Sequence, residues 1–375
     1  VVKGDIQQLY ARELAPLPKA PFTVGALSGE VESVSPPAAE QDDNSTRLTL
    51  PLGTGTAMQC FVYPKAMDPG AQLLSIVKAI SKVDVRSVRP TDVVVVGEHA
   101  AIFAEVQYLA KTAGGTAAGE VKLMAYAHPI TPMLCLHDEV GYNAAFKRIA
   151  VGLAATLKLE GHDVRIPEFV DIAVEQINGH PVGFARSSVV TGDDGNKVYI
   201  ETSSSLVPRS AQDLMVEDET RMETLDKHGN LAKVVYAKSE GGEVSEDLTL
   251  SHVSGNEYRY EGTHLGKKAS GTLKTKGPKG LRTDIDVRHA EGKLVAPDAK
   301  GGDMKIEEYH PDLDAGAPVE VLYHPLSKKD RTLTMTLGTA QVTITLDANG
   351  LSQKGEMPVG GATVTMERVF VRGSF

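Results

Sequence analysis

Tryptophan is absent from the 375 residues, and aromatic side chains make up only 5% of them. A chain this poor in rings is ill suited to the stacking platforms that hold single-stranded nucleic acids or sugars, so its cores are expected to be aliphatic. Positive charge is also short. The formal net charge is −10 and falls mostly in the second half, and no basic run exceeds Lys274–Lys279. Such a surface repels phosphate backbones and anionic membranes, which excludes nucleic acid as the expected partner. Long apolar runs are missing too: the stretch from Ile149 to Leu157 is far shorter than the roughly 20 residues that cross a bilayer, so no transmembrane segment is expected. No GxSxG or HExxH spacing occurs, which excludes the standard serine-hydrolase elbow and the zincin helix. No cofactor is implied by any motif.

Cysteine is nearly absent as well, with two residues, Cys60 and Cys135. Neither has a CxxC or Cys-His companion, so a catalytic or zinc role is not expected. Both lie in apolar segments read as strands, Ala57–Tyr63 and Met133–Leu136. Two readings stay open. They are buried free thiols, or they form a disulfide that closes a loop of about 75 residues and implies an oxidising compartment.

What is present is globular: 41% apolar and 23% charged residues, over a length that suits two domains. Residues 1–45 contain Pro16, Pro18, Pro21, Pro36 and Pro37 and read as an arm or tether. The start at Val1-Val2-Lys3 followed by this lead fits an exported protein or lipid-anchored tether whose signal was removed; a trimmed chain fits equally.

A first domain is expected over 46–160. Asp68-Pro69 places an N-cap and a proline at the first helical position, with Leu73, Ile76, Val77 and Ile80 at helical spacing behind them. A second helix carries the stripe Tyr142, Phe146, Ile149, Leu153 and Leu157, with Asp138 and Glu139 placed to favour its first turn. Strands are expected at Val93–Val96, Ala101–Leu109, Gly119–Ala127 and Met133–Leu136. Together with the opening strand Leu48–Pro51 and the phrase Leu136–Tyr142, this order resembles the PsbP/Mog1-like fold of small α/β/α modules. The resemblance implies an α/β sandwich with a mainly antiparallel sheet, used for binding or assembly, with no shared catalytic residues.

Over 161–375 strict alternation replaces helical spacing. Thr332–Leu337 and Val342–Leu346 form a hairpin with threonines on one face, and near-copies of one glycine turn recur at Glu223–Leu231 and Ile344–Leu351. Roughly a dozen strands, one of them read at Arg282–Val287, imply a large antiparallel β domain, curved or partly closed. The fold class is therefore α+β. The phrases Ile177–Phe184, Leu225–Leu231 and Leu346–Glu356 resemble the β-rich region of bacterial secreted proteins and lipoproteins, including the region that precedes transglutaminase-like domains. No cysteine follows Glu160, so transglutaminase chemistry cannot be carried over. The resemblance implies an extracytoplasmic sheet module.

Candidate chemistry is sparse. Glu308, His310, Asp312 and Asp314 place oxygen and imidazole donors ahead of Gly316, a weak candidate for a hard cation and more simply a solvated acidic turn. His137, with Asp138 and Glu139, and His128 before Pro129 read as capping and turn residues. The expectation is a non-enzymatic, periplasmic, outer-membrane-associated or secreted protein that binds a protein partner, a lipid or another small molecule on its β domain. The alternatives are a hydrolase with a dispersed carboxylate and histidine site, or a structural envelope component.

Overall fold

The computed structural model describes residues 19–24, 27–32, 38–41, 45–51, 57–80, 83–156, 158–159, 165–192, 194–277 and 280–374. The chain divides into two compact units, Val1–Val164 with Ser204–Glu217, and Arg165–Ser203 with Asp218–Phe375. The architecture is α+β and mainly antiparallel sheet, with three short helices among the described residues.

The first unit is built on seven strands in the order Ala38–Gln41, Thr46–Pro51, Ala57–Val62, Met133–Asp138, Gly115–Tyr126, His99–Thr112 and Asp84–Val96, every pair antiparallel. Lys19–Val24, Leu27–Glu32 and Lys158–Leu159 add a three-stranded sheet, and Lys19–Val24, Leu27–Glu32 and Ala38–Gln41 are strands within the stretch read as an arm. Residues 1–18 lie outside the described residues.

Helix α1, Pro69–Ala79, starts behind Asp68 with proline at its first position and buries Leu73. Helix α2, Asn143–Thr156, lays Phe146, Ile149, Ala150 and Leu153 on a sheet face made of Leu48, Leu50, Met58, Cys60, Phe103, Met124 and Cys135. Phe146, Ile149 and Leu153 belong to the stripe expected from 3.6-residue spacing; Tyr142 precedes the helix, and Leu157 lies outside the described residues. The start of α2 differs from expectation: its first turn holds no acidic residue. Asp138 ends a strand and accepts the Tyr108 hydroxyl at 2.8 Å. The acceptor is instead the buried Glu120 on a neighbouring strand, which takes the Gly141 amide at 2.7 Å and the Asn143 side chain at 3.2 Å.

The second unit carries a fourteen-stranded antiparallel sheet formed by two meanders. One runs outward from Phe169–Ile177 through seven further strands to the edge strand Lys267–Lys274. The other runs inward from the edge strand Met304–Glu308 to the last strand, Ala362–Gly373. Phe169–Ile177 pairs with Ala362–Gly373 and joins the meanders at the middle. Ser204–Glu217, the tip of the hairpin Lys197–Pro208/Leu214–Leu225, groups with the first unit, where the Ala211 carbonyl accepts the Val88 amide at 2.8 Å. Among the described residues the two edge strands do not pair, so the ladder is open. The segment between them nevertheless reaches across: the Lys276 and Gly277 amides donate to the Glu307 carboxylate, and the Arg282 amide to the Glu307 carbonyl.

The same connection contains the main departure from the sequence reading. Arg282–Val287 does not form a strand; Asp284–Leu294 is helix α3. Ile285 and Val287 alternate like strand residues, but Thr283 is an N-cap whose hydroxyl accepts the Asp286 amide at 3.1 Å, with Asp284 and Asp286 in the first turn. The helix lies in the sheet's concavity. Val287, Ala290, Leu294 and Val295 pack on Ile306, Val321, Tyr323, Leu333, Ile344 and Leu346 of one meander, and Ile285 packs on Phe169, Val189 and Tyr199 of the other. Gly292 meets the Gly350 turn so closely that a Cβ on Gly292 would stand 3.3 Å from the Gly350 Cα.

Candidate functional site

Helix α3 has a second, polar stripe: Asp284, Arg288 and Glu291 follow one another at i, i+4 and i+7 beside the apolar one. A charged helix face inside a sheet must find partners, because an unpaired buried charge costs several kcal/mol. Inward-facing strand residues supply them.

Arg288 is the centre. Its Nη1 donates to Asp171 Oδ2 at 3.3 Å, and its Nη2 to Ser187 Oγ and to the Tyr199 hydroxyl at 3.0 Å each. The Tyr199 hydroxyl in turn donates to Glu201 Oε2 at 2.6 Å. Asp171 and Ser187 are directly paired across neighbouring strands, which places both on one face. Burial pushes the Asp171 carboxyl above its usual range against the pull of Arg288 and Arg368. Burial also drives the Tyr199 hydroxyl well above the ordinary phenol range.

Beside this group opens a cavity of about 170 Å³, lined by Asp171, Ser187, Glu201, Arg288, Gln353 and Arg368 with Ala173, Ala185, Ser352 and Met366. Arg368 enters from the last strand, where a bulge sets it opposite Ala173. Its side chain is 10% exposed, and Nη2 donates to Asp347 at 2.5 Å. Its Nη1 has neither solvent nor a hydrogen-bond partner among the described residues. Glu201, 37% exposed, marks the wet side of the site.

Two more polar groups flank the helix. Arg221 donates to Glu223 through Nε at 3.0 Å and Nη2 at 2.6 Å, while the Asp284 amide, at the start of α3, donates to Glu223 at 2.9 Å. Burial and the neighbouring Glu201 and Asp312 carboxylates push Glu219 up to about 7. Glu291, held in the interior by α3, is pushed up to about 8 by burial, with Glu308 and Asp284 adding to the effect and Arg288 opposing it.

Glu308 and His310 come together, His310 Nε2 lying 3.0 Å from Glu308 Oε2, and Tyr323 donates to the other Glu308 oxygen at 2.8 Å. Asp312 and Asp314 do not join them: among the described residues no three His, Cys, Asp or Glu side chains converge on a metal position. Asp314 instead accepts the Gly316 amide. His128 accepts the amides of Ile130 and Thr131 and organises a turn. His137 is fully buried with Glu139 at 4.0 Å, and burial together with Lys122 pulls it down to about 4. One Ser-x-x-Lys spacing exists, Ser75–Lys78 on α1, where the Ser75 hydroxyl donates to the Gln72 carbonyl on an exposed face. Cys60 and Cys135 are joined in a disulfide across adjacent strands.

A second cavity, of about 200 Å³, lies in the first unit between α2 and the sheet, lined by Phe103, Phe146, Asp92, Glu105, Lys122 and Lys147 among others. Lys122 is buried there and its nitrogen bonds the Glu139 carbonyl, so desolvation lowers its pKa in spite of Glu120 and Glu105. No histidine lines either cavity.

The residues of the second-unit cavity carry no motif. Asp171, Ser187, Glu201 and Arg368 are isolated polar residues within strands, and nothing in their local sequence marks them as a site. The available signal was the Thr283-x-x-Asp286 start of α3, which would have turned Arg288 and Glu291 inward.

No family model matches this chain, and no curated protein matches it. Among solved structures it is similar to a β-barrel-like protein of a domain of unknown function, DUF1849, from Brucella abortus, at 12% identity and a TM-score of 0.42, over 57% of this chain and 100% of that one. It is also similar to a DUF1089-family protein from Pseudomonas aeruginosa, at 12% identity and a TM-score of 0.28, over 52% of this chain and 94% of that one. Neither likeness carries an argument about function. Among the described residues no helix is long and apolar enough to cross a membrane.

Proposed function

We infer that this chain is a non-enzymatic binding protein of an extracytoplasmic compartment, and that its β domain holds a small polar ligand. The observation that carries the reading is the convergence of Arg288, Arg368, Asp171 and Glu201 on one cavity in the second unit. Such a cavity offers what a selective small-molecule site requires: concavity, a few fixed polar groups and rigid supporting strands. Its walls suit a polar molecule better than an acyl chain, because desolvating four charged side chains against hydrocarbon returns no compensating hydrogen bonds. The concavity that a lipid would need is taken by α3.

The compartment rests on the Cys60–Cys135 disulfide, since such bonds persist in oxidising surroundings and are rare where thiols are kept reduced. A hydrolase with a dispersed histidine site has less support: His137 is enclosed, His310 pairs with Glu308, and neither histidine lines either of the two cavities described above.

The test is calorimetric titration of the full chain with a panel of small polar metabolites, beside the variant Ala185→Leu, whose added side chain enters the cavity. Saturable one-to-one binding that the variant abolishes is expected. Binding that Ala185→Leu leaves unchanged, or no binding across the panel, would refute the reading.

A further inference from the structure

We propose that the second-unit cavity takes a small zwitterion, a molecule carrying one ammonium and one carboxylate such as a free α-amino acid, with the carboxylate on Arg368 and Gln353 and the ammonium on Asp171 and Glu201. The inference rests on the binding reading above and names its ligand class.

The lining carries two guanidinium and two carboxylate groups. A balanced wall presents no net field to a plain anion or a plain cation, whereas a dipolar ligand meets complementary charge at both ends. The protein leaves the matching capacity open. Asp171 spends Oδ2 on Arg288 and Glu201 spends Oε2 on Tyr199 and Ser187, while among the described residues no hydrogen bond to Asp171 Oδ1 or Glu201 Oε1 joins them to this network. On the cationic side, Arg288 already donates to Asp171, Ser187 and Tyr199, but among the described residues Arg368 has a nitrogen without an acceptor and is nine-tenths buried. A guanidinium with one arm fixed on Asp347 is preorganised for a further carboxylate.

Size narrows the class. A cavity of roughly 150 Å³ accommodates a six-membered carbon ring, so about 170 Å³ admits a molecule of about six to eight heavy atoms, the range from alanine to valine. Met366, Ala173 and Ala185 leave a small apolar corner for its side chain. A primary ammonium fits better than a quaternary one, because the surrounding groups are oxygen acceptors rather than an aromatic cage.

The experiment is isothermal titration of the full chain with L-alanine, L-serine and L-valine, against acetate, propylamine, succinate and glucose. At least one amino acid is expected to saturate a single site at least tenfold more tightly than any control. Arg368→Met is expected to weaken it at least tenfold and Arg368→Lys to recover part of the loss. Glu201→Gln, on the wet rim and with an amide oxygen that can still accept from Tyr199, should weaken amino acids at least threefold and keeps the test decisive if Arg368→Met does not fold. Tighter binding of acetate, succinate, propylamine or glucose than of every amino acid would overturn the zwitterion while leaving a polar-ligand site in place. Equal affinity of Glu201→Gln and the parent protein for the amino acid would overturn the ammonium assignment and with it the proposal. Silence from every probe would remove both this inference and the binding reading.

Discussion

Breaking the Cys60–Cys135 bond is expected to loosen the first unit and leave the second unchanged. The two residues face each other across the strands Ala57–Val62 and Met133–Asp138, both fully buried under α2, and the bond closes a separation of 75 residues. In the chain-entropy model a loop of that length removes about 15 cal/mol/K from the unfolded ensemble, or about 4.5 kcal/mol at 25 °C. Residual structure in the unfolded chain lowers that figure, and about 3–4 kcal/mol is the expected loss for the reduced protein or for Cys60→Ala with Cys135→Ala. With a urea dependence of about 2 kcal/mol/M, the midpoint of the first unit should fall by about 1.5–2 M. The chain has no tryptophan to report on this. The assay is therefore hydrogen exchange read by peptide mass across a urea series, comparing peptides of 57–62, 99–112 and 143–156 with those of 319–327 and 362–373. Alkylation of both cysteines in the native, unreduced protein would refute the pairing. A midpoint shift under about 0.5 M, or an equal shift in peptides of both units, would refute the energetic argument.

Three further outcomes follow from the charged interior and the tight strands of the second unit. Arg221→Met alone should cost about 3–5 kcal/mol by stranding Glu223, whereas adding Glu223→Leu should restore much of the loss, which denaturant titration of the two variants checks. Glu291, at about 8 against an ordinary 4.5, holds its proton longer in the folded state than in the unfolded one. Stability of the second unit is therefore full below about pH 4.5 as far as this group is concerned, and falls as pH rises toward 8, by an amount on the order of 5 kcal/mol; Glu291→Gln should flatten that slope in urea melts from pH 5 to 9. Glu219, pushed up to about 7, adds to the slope with the same sign. Gly262→Ala should cost at least about 2 kcal/mol and raise exchange along Glu257–His264, because φ is +143° there and the new Cβ would lie 2.0 Å from the Asp247 carbonyl oxygen.

Much of the architecture was legible because it depends on local rules. The threonine hairpin at Thr332–Leu346 alternates without interruption, the Asp226 and Asp347 turns repeat one phrase, and α2 shows its stripe openly. Each of these elements is decided by spacing within a dozen residues. Two central features were not decided that way. Phe169–Ile177 is buried on both faces and pairs with a strand almost two hundred residues later, so it lacks the alternation that marks a half-exposed strand. Its role as the seam between the meanders is set by the last strand, which no local pattern discloses.

The candidate site was illegible for a related reason. Alternation sorts residues into inside and outside on the premise that the inside is apolar, and by that premise Asp171, Ser187, Glu201 and Arg368 belong to water. The premise fails here because the sheet does not pack on another apolar layer on that face. It packs on a helix with an apolar stripe and a charged one, so the meander facing Val287 and Leu294 is mainly aliphatic while the strands facing Asp284 and Arg288 are charged. The polarity of those strands is thus a response to α3, and the reading of α3 as a strand concealed both at once. A structural network alone would be expected to satisfy every buried donor within itself, since each unmet one carries a desolvation cost of about 1–3 kcal/mol. Arg368 keeps an unmet one beside a cavity that carboxylates also line, and that cost is what a bound carboxylate would relieve.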